Sequence, residues 1–318
     1  MTIRTLLSLL LAAGVLAVVG AACGGDDGDG ETAAGGDLSG RVEADGSSTV
    51  GPLVTAAAER FQQVNSGVQV TVGISGTGGG FERFCAGETD VSNASRPIKD
   101  EEAAICADKG VEYTELHVAN DALTIVANPA NDWATCLTVE QLNAIWKPGS
   151  DVDTWQDVDP SWPDEELKLF GPGTDSGTFD YFTDEINGEE GASRSDYSAS
   201  EDDNVIVQGV GGETGGLGYF GLSYFEENSD SLKALEVDGG DGCVAASVET
   251  AQDGSYKPLA RPLFVYVKNE SLAKPEVKAF ADYLLANERE IAEAVQFVPL
   301  TDEQLAKSKD DLAAAGGS

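Results

Sequence analysis

Phe170-Gly-Pro-Gly-Thr174-Asp175-Ser176-Gly177-Thr178-Phe179 gathers glycines and small hydroxyl residues into one turn directly ahead of an amphipathic run. Glycine lets backbone N–H groups turn toward a ligand, and a helix opening at Ser176 adds its positive dipole end, so the segment has the chemistry of an oxyanion holder. The same chemistry occurs twice upstream. Asp45-Gly-Ser47-Ser48-Thr49-Val50-Gly-Pro52 precedes one helical pattern, and Gly73-Ile-Ser75-Gly-Thr77-Gly-Gly-Gly80-Phe81 precedes another. Ser, Thr, Asp and Gly are ordinary N-caps, so any one of these turns alone marks only a helix start. Three in one chain point to an anion site. The glycine-rich run Gly209-Val-Gly211-Gly-Glu-Thr-Gly215 does not add a nucleotide motif, because it lacks the lysine of a P-loop and the spacing of a dinucleotide turn.

Around these turns the apolar pattern alternates between strand and helix. Residues 41–44, 68–74, 90–92 and 111–118 read as strands, and residues 52–63, 81–86 and 100–109 as helices. That alternation builds a parallel sheet, whose ligands sit outside the carboxyl ends of its strands. Residues 122–127 form a continuous apolar run suited to a buried strand. Residues 138–146 read as a capped helix, 167–170 as the strand feeding the central turn, and 178–186 as the helix after it. Residues 203–211 and 216–224 complete this region. A return strand over 261–267 (Arg-Pro-Leu-Phe-Val-Tyr-Val) and a long helix within 275–297 follow, with a frayed tail from residue 306.

The order of four motifs is specific. Asp45-Gly-Ser-Ser-Thr-Val50, then Gly73-Ile-Ser-Gly-Thr-Gly-Gly-Gly-Phe81, then Asn93-Ala-Ser95-Arg96-Pro-Ile98, then the Phe170–Phe179 turn resembles the phosphate-binding lipoproteins of bacterial phosphate ABC transporters. The resemblance covers residues 40–305. It implies an α/β, two-lobed periplasmic-binding-protein-like fold of type II, each lobe a mainly parallel sheet flanked by helices, with the ligand in the interlobe cleft. Residues 39–121 with 259–318 would form lobe 1 and residues 122–258 lobe 2, with hinges near residues 119–122 and 258–262. It also implies a non-enzymatic, cofactor-free monomer that captures inorganic phosphate and passes it to permease subunits.

Phosphate at neutral pH offers several acceptor oxygens and one or two protons, so its site needs many N–H and O–H donors and at least one acceptor. Carried over by motif, the donors are Ser48, Thr49 and the Val50 N–H from the first turn, and Ser75 and Thr77 from the second. Ser95 and Arg96 follow from the third motif, and Ser176, Gly177 and Thr178 from the fourth. The better-known branch of the family has Asp after the residue matching Ser95 and an Arg shortly before the last turn. Here those places hold Arg96 and Pro172. The charged donor would thus move to Arg96, and the acceptor would be Asp175 or, second, Asp180.

Composition bounds the alternatives. The 318 residues suffice for two cores of ordinary size, and 41% hydrophobic content excludes wholesale disorder. A formal charge of −37 argues against nucleic acid and anionic membrane surfaces as partners, since both require a basic footprint. It also repels phosphate at long range, so capture must rest on short-range donors.

The N-terminus reads as a targeting segment. Arg4, an apolar run over residues 5–19 and Gly20-Ala-Ala-Cys23 make residues 1–22 a lipoprotein signal peptide, with Cys23 lipidated after cleavage. Residues 23–38 then form a flexible acidic and glycine-rich tether, and the protein would sit at the outer face of the cell membrane, touching it through the lipid anchor only. Asp26, Asp27 and Asp29 lack the far ligand and flanking helices of a calcium loop. Four cysteines remain, which in an exported chain suggests two disulfides and leaves three pairings open. Placing each bridge within one implied lobe selects Cys85–Cys106 and Cys136–Cys243. With no C-x-x-C spacing and a single histidine, His117, no metal site is expected; His117 reads as a half-buried strand residue.

Rival functions are weaker. Asp175-Ser-Gly-Thr178 matches the signature of an aspartic-type hydrolase, but a bilobal protease needs a second copy and the chain has none. A serine nucleophile would lack its G-x-S-x-G turn. Binding or sensing of another tetrahedral oxyanion, such as sulfate, molybdate or tungstate, is the nearer alternative.

Overall fold

The computed structural model describes residues 38–174 and 176–317. The expected signal peptide, Cys23, the tether up to residue 37, and Asp175 lie outside the described residues. The chain opens with β1 (Ser39–Gly46), α1 (Gly51–Val64), β2 (Gly67–Val72), α2 (Gly76–Cys85), β3 (Val91–Ala94) and α3 (Asp100–Asp108). A long β4 (Tyr113–Ala127) leads to β5 (Cys136–Thr138), α4 (Val139–Trp146), α5 (Trp155–Val158), β6 (Lys168–Gly171), α6 (Gly177–Phe182) and β7 (Ser198–Ala199). Then come α7 (Asp203–Gly212), β8 (Gly216–Gly221), α8 (Leu222–Glu227), β9 (Lys233–Asp238), β10 (Cys243–Val244) and α9 (Val248–Gln252). The chain finishes with β11 (Ala260–Lys268), α10 (Pro275–Ala286), α11 (Glu288–Ala294) and α12 (Asp302–Gly316).

The strands run in the order β2-β1-β3-β11-β4-β8-β6-β7, with β9 also on β4. Two strands tie the sheet together. The first part of β4 pairs with β11 and its last five residues, Leu123 to Ala127, pair with β8. The sequence pattern suggests separate strands over 111–118 and 122–127; pairing of Ala119, Asn120 and Asp121 with β11 keeps them continuous. The expected parallel pairs are present, β1 with β2 and β3, and β6 with β7 and β8. The sheet is nevertheless mixed, because β4 and β11 run antiparallel to their neighbours. Antiparallel neighbours need no crossover helix, so these strands can carry the chain directly from one region to the other.

Two large cores flank that junction. One draws on residues 42–119 and 263–312, and the other on residues 123–259. Leu53, Val54, Ala57, Ala58 and Phe61 recur at helical intervals, so α1 buries one face in the first core, with Pro52 in its first turn where a missing N–H costs nothing. Trp146, Trp155, Tyr219 and Tyr256 fill the second.

Several helices differ from the sequence pattern. α2 begins at Gly76, ahead of the expected 81, and Gly80 has a packing reason: a Cβ there would sit 2.5 Å from Gly46 Cα. The stretch over 178–186 is α-helical to Phe182 and then makes one π turn, Thr183–Asn187, ended by Gly188 in the left-handed region. The long helix expected within 275–297 is two helices that break at Asn287. The tail is not frayed. Thr301 and Gln304 form a capping box that starts α12, Leu312 is buried, and the Ser308 hydroxyl donates to the His117 carbonyl at 2.9 Å. Its alanines and charged residues give a weak apolar period, which hides the helix in the sequence. His117 itself is half-buried in β4, with Nε2 3.0 Å from Asn120 Oδ1.

The expected disulfides are present, Cys85–Cys106 joining α2 to α3 and Cys136–Cys243 joining β5 to β10. No helix among the described residues is long and apolar enough to cross a membrane.

Candidate binding cleft

Ser47, Ser48, Thr49, Gly76, Thr77, Gly78, Ser95, Arg96 and Arg261 line a cleft of about 270 Å³, with Asp180, Tyr181, Asp184, Glu185 and Glu190 on its other wall. Local geometry explains how the donors are set. Gly46 (φ +140°) turns the chain out of β1 in a conformation that side chains rarely adopt, and Ser47 N–H donates to the Asn93 carbonyl at 2.9 Å. This holds the first turn on the end of β3, and α1 starts behind it. Thr77 stands in the first turn of α2. Its Oγ1 accepts from Ser95 N–H at 3.2 Å and lies 3.1 Å from Ser95 Oγ, which locks the second and third motifs together.

The expected site residues divide by position. Ser48, Thr49, Thr77, Ser95 and Arg96 line the cleft, as does Asp180. Val50 is fully buried, and its N–H is directed at Ser47 Oγ, 3.4 Å away. Ser75 does not line the cleft; its hydroxyl donates to Asp45 Oδ1 at 2.8 Å. Ser176 caps α6, accepting from Thr178 N–H at 3.2 Å, and Ser176, Gly177 and Thr178 are not among the lining residues. Gly177 is nonetheless adjacent to the site, since a Cβ built on it would lie 3.3 Å from Thr49 Oγ1. Asp175 lies outside the described residues.

Arg96 is at the cleft with its fork already engaged. Nη1 and Nη2 donate to the two oxygens of Glu102, each at 2.8 Å, and Nη1 also reaches the Pro97 carbonyl. Burial opposes ionisation of Glu102, but the Arg96 hydrogen bonds, the Lys99 N–H and the charges of Arg96 and Lys99 together outweigh it and hold the carboxyl below its usual range.

Arg261 is one of several lining residues absent from the expected set, with Ser47, Tyr181, Asp184, Glu185 and Glu190 among the others; the sequence pattern marks it only as the first position of a return strand. It pairs in register with Asp121 of β4. Nη2 donates to Thr49 Oγ1 at 2.9 Å, and Nε and Nη2 approach Asp121 Oδ2 at 3.3 Å each. The guanidinium carbon stands 3.5 Å from the centre of the Tyr181 ring, whose hydroxyl donates to the Pro258 carbonyl at 2.7 Å. The available signal was a lone arginine heading an otherwise apolar strand.

The opposite wall is acidic. Burial raises the Asp180 carboxyl, with the charge of Glu190 adding to it and Arg261 opposing. Burial likewise raises Glu185, helped by Asp184 and opposed by Arg261. The cleft therefore sets hydroxyl groups and helix N-termini against carboxyl groups. Elsewhere, Cys136, Glu236 and Cys243 lie close enough to share an ion, but both sulfurs are spent in a disulfide.

A chain that crosses twice between two cores and turns helix N-termini into one cleft belongs, by class, to the solute-binding proteins of the periplasmic-binding type. The family described as PBP superfamily domain matches residues 31–288. Protein SphX of Synechococcus elongatus is 49% identical over 261 residues, 81% of this chain and 77% of that protein. The phosphate-binding protein PstS of Staphylococcus saprophyticus is 42% identical over 299 residues, 92% of this chain and 89% of its own length. The crystal structure of a possible phosphate binding protein from Planctomyces limnophilus superposes with a TM-score of 0.84 at 46% identity, covering 87% of this chain and 99% of the other. The chain belongs to the family of phosphate-binding proteins within the PBP superfamily.

Proposed function

We propose that the protein captures inorganic phosphate in this cleft and delivers it to the permease of an ABC transporter. The observation that carries the reading is the opposition of walls: Ser48, Thr49, Thr77 and Ser95 at the starts of α1 and α2 and the end of β3, facing Asp180, Asp184, Glu185 and Glu190. Phosphate brings both acceptor oxygens and a proton to such a site. Sulfate brings no proton, so a carboxylate that needs one is left unpaired beside it, and selectivity follows. The net charge of −37 gives no long-range attraction, which places the whole burden on these short contacts.

In this reading residues 39–121 with 259–318 act as one lobe and residues 122–258 as the other. Closure about the junctions near 119–122 and 258–262 brings Ser176, Gly177 and Thr178 onto a ligand held by the first lobe. Lipidation at Cys23 keeps the monomeric protein at the outer face of the cell membrane, where the closed form docks on permease subunits.

Calorimetric titration of the chain from Gly24 onward, which includes the compact unit Asp37–Ser318, tests the function directly. Saturable 1:1 phosphate binding with sulfate rejected is expected. Equal response to phosphate and sulfate, or to neither, overturns the phosphate reading and sends the search to molybdate and tungstate.

A further inference from the structure

We propose that Arg261, and not Arg96, supplies the positive charge to the bound anion, and that Asp121, Arg261 and Thr49 act as one relay that reads the ligand from the junction strands. The proposal rests on the phosphate reading and deepens it. The two arginines of the cleft each make three hydrogen bonds and differ in how their charge is paired. Arg96 spends its fork on both oxygens of Glu102 at 2.8 Å, a bidentate pair that satisfies the charge. Arg261 meets a single oxygen of Asp121 at 3.3 Å, and its Nη1 makes no hydrogen bond among the described residues. A guanidinium that lines the cleft with both N–H groups of one nitrogen unused and a long counter-ion contact is prepared for a second anion, whereas the N–H groups left on Arg96 are split between Nε and Nη2 beside a carboxylate already paired at 2.8 Å.

Thr49 is set by the same contact. Its Oγ1 accepts from Arg261 Nη2, so its one hydroxyl proton is free to donate elsewhere, toward the cleft that Thr49 also lines. Asp121 is buried on the neighbouring strand and keeps the guanidinium in register. Its carboxyl is pushed up by burial and drawn back by Arg261. Arg261 also touches the other core, because its guanidinium carbon stands 3.5 Å over the centre of the Tyr181 ring of α6. One side chain on β11 thus contacts the first turn, β4 and α6. An anion drawn to it is bound at the point where movement of α6 relative to α1 is sensed, which couples occupancy to closure.

The test compares phosphate affinity of the full chain and four variants by calorimetry at two salt concentrations, with thermal melts as a check on folding. Arg261→Met alone would strand the buried Asp121 carboxylate, so the neutral variant is the double Asp121→Asn with Arg261→Met, which removes both charges together. Its phosphate affinity should fall on the order of 100-fold, with a cooperative melt retained. Arg261→Lys keeps the charge without the fork and should lose about 10-fold, a partial rescue that a purely structural role would not produce. Arg96→Gln should lose far less than the double variant, because the Arg96 fork is spent on Glu102, and Asp121→Asn should alter the salt dependence while leaving binding measurable. A folded double variant within about threefold of the parent overturns the assignment, as does a 100-fold loss in Arg96→Gln alone. A parent chain that fails to bind phosphate removes the phosphate reading itself, a result distinguishable from both.

Discussion

Gly177 and Thr49 meet where the two halves of the cleft approach: a Cβ on Gly177 would stand 3.3 Å from Thr49 Oγ1 and 3.6 Å from Thr49 Cα. Gly177 opens α6 and has no left-handed backbone to explain it, so the missing side chain serves the contact. Gly177→Ala should leave stability unchanged or raise it by up to about 1 kcal/mol, because alanine loses less chain entropy in a helix. Phosphate affinity should nevertheless fall about 10-fold, since Thr49 must give way by a few tenths of an ångström where hydrogen-bond geometry is sharp. Melting and calorimetry on one sample separate the two effects, and a parallel loss of both would mean that Gly177 serves folding instead.

The Cys85–Cys106 bridge closes a 21-residue separation and pins α2, whose first turn carries Thr77. Both half-cystines are buried beside Phe81 and Phe84. Chain-entropy arguments put such a loop at roughly 3 kcal/mol. Cys85→Ala with Cys106→Ala should therefore lower unfolding free energy by about 3 kcal/mol in denaturant titrations, and weaken phosphate binding because Thr77 loses a fixed platform. An unchanged midpoint would show that core packing alone holds α2.

Asp203 is pushed up to about 6 by burial, with Asp202 and Glu201 adding like charge. An unfolded aspartate titrates near 3.9. The raised value means that the folded state holds the proton more tightly, so this contribution to stability is full below about pH 4 and lost as pH rises through about 6. Asp203→Asn should match the parent at pH 4 and exceed it at pH 8 by about 1 kcal/mol, after allowance for solvent screening and for the favourable field at the start of α7. Thermal melts across pH 4–8 decide it; parallel curves for the two proteins would remove Asp203 as the source.

Local chemistry made some of the architecture legible in advance. Pro52 and the apolar spacing of residues 53–61 define α1, and Thr138 with Gln141 forms the capping box that starts α4. Each of these signals acts within a few residues of itself. α12 was hidden because Ala, Lys and Asp carry little apolar period, and its burial against β4 exists only once the C-terminus returns to a strand 191 positions upstream. The division of Arg96 from Arg261 was hidden for a related reason. Glu102 is six residues from Arg96, and nothing in the local pattern says that the pair will close bidentately.

The sequence by itself determined the alternation of strands and helices, the three glycine and hydroxyl turns, and the order of motifs that marks the family, because propensity, capping and turn chemistry are short-range. Only the tertiary structure decided that β4 runs unbroken through both sheets, that Ser75 and Val50 turn to Asp45 and Ser47, and that Arg261 reaches Thr49 across 212 positions. Such contacts are set by which strands pair and in what register, and a cleft assembled from both ends of the chain has no local sequence signal to announce it.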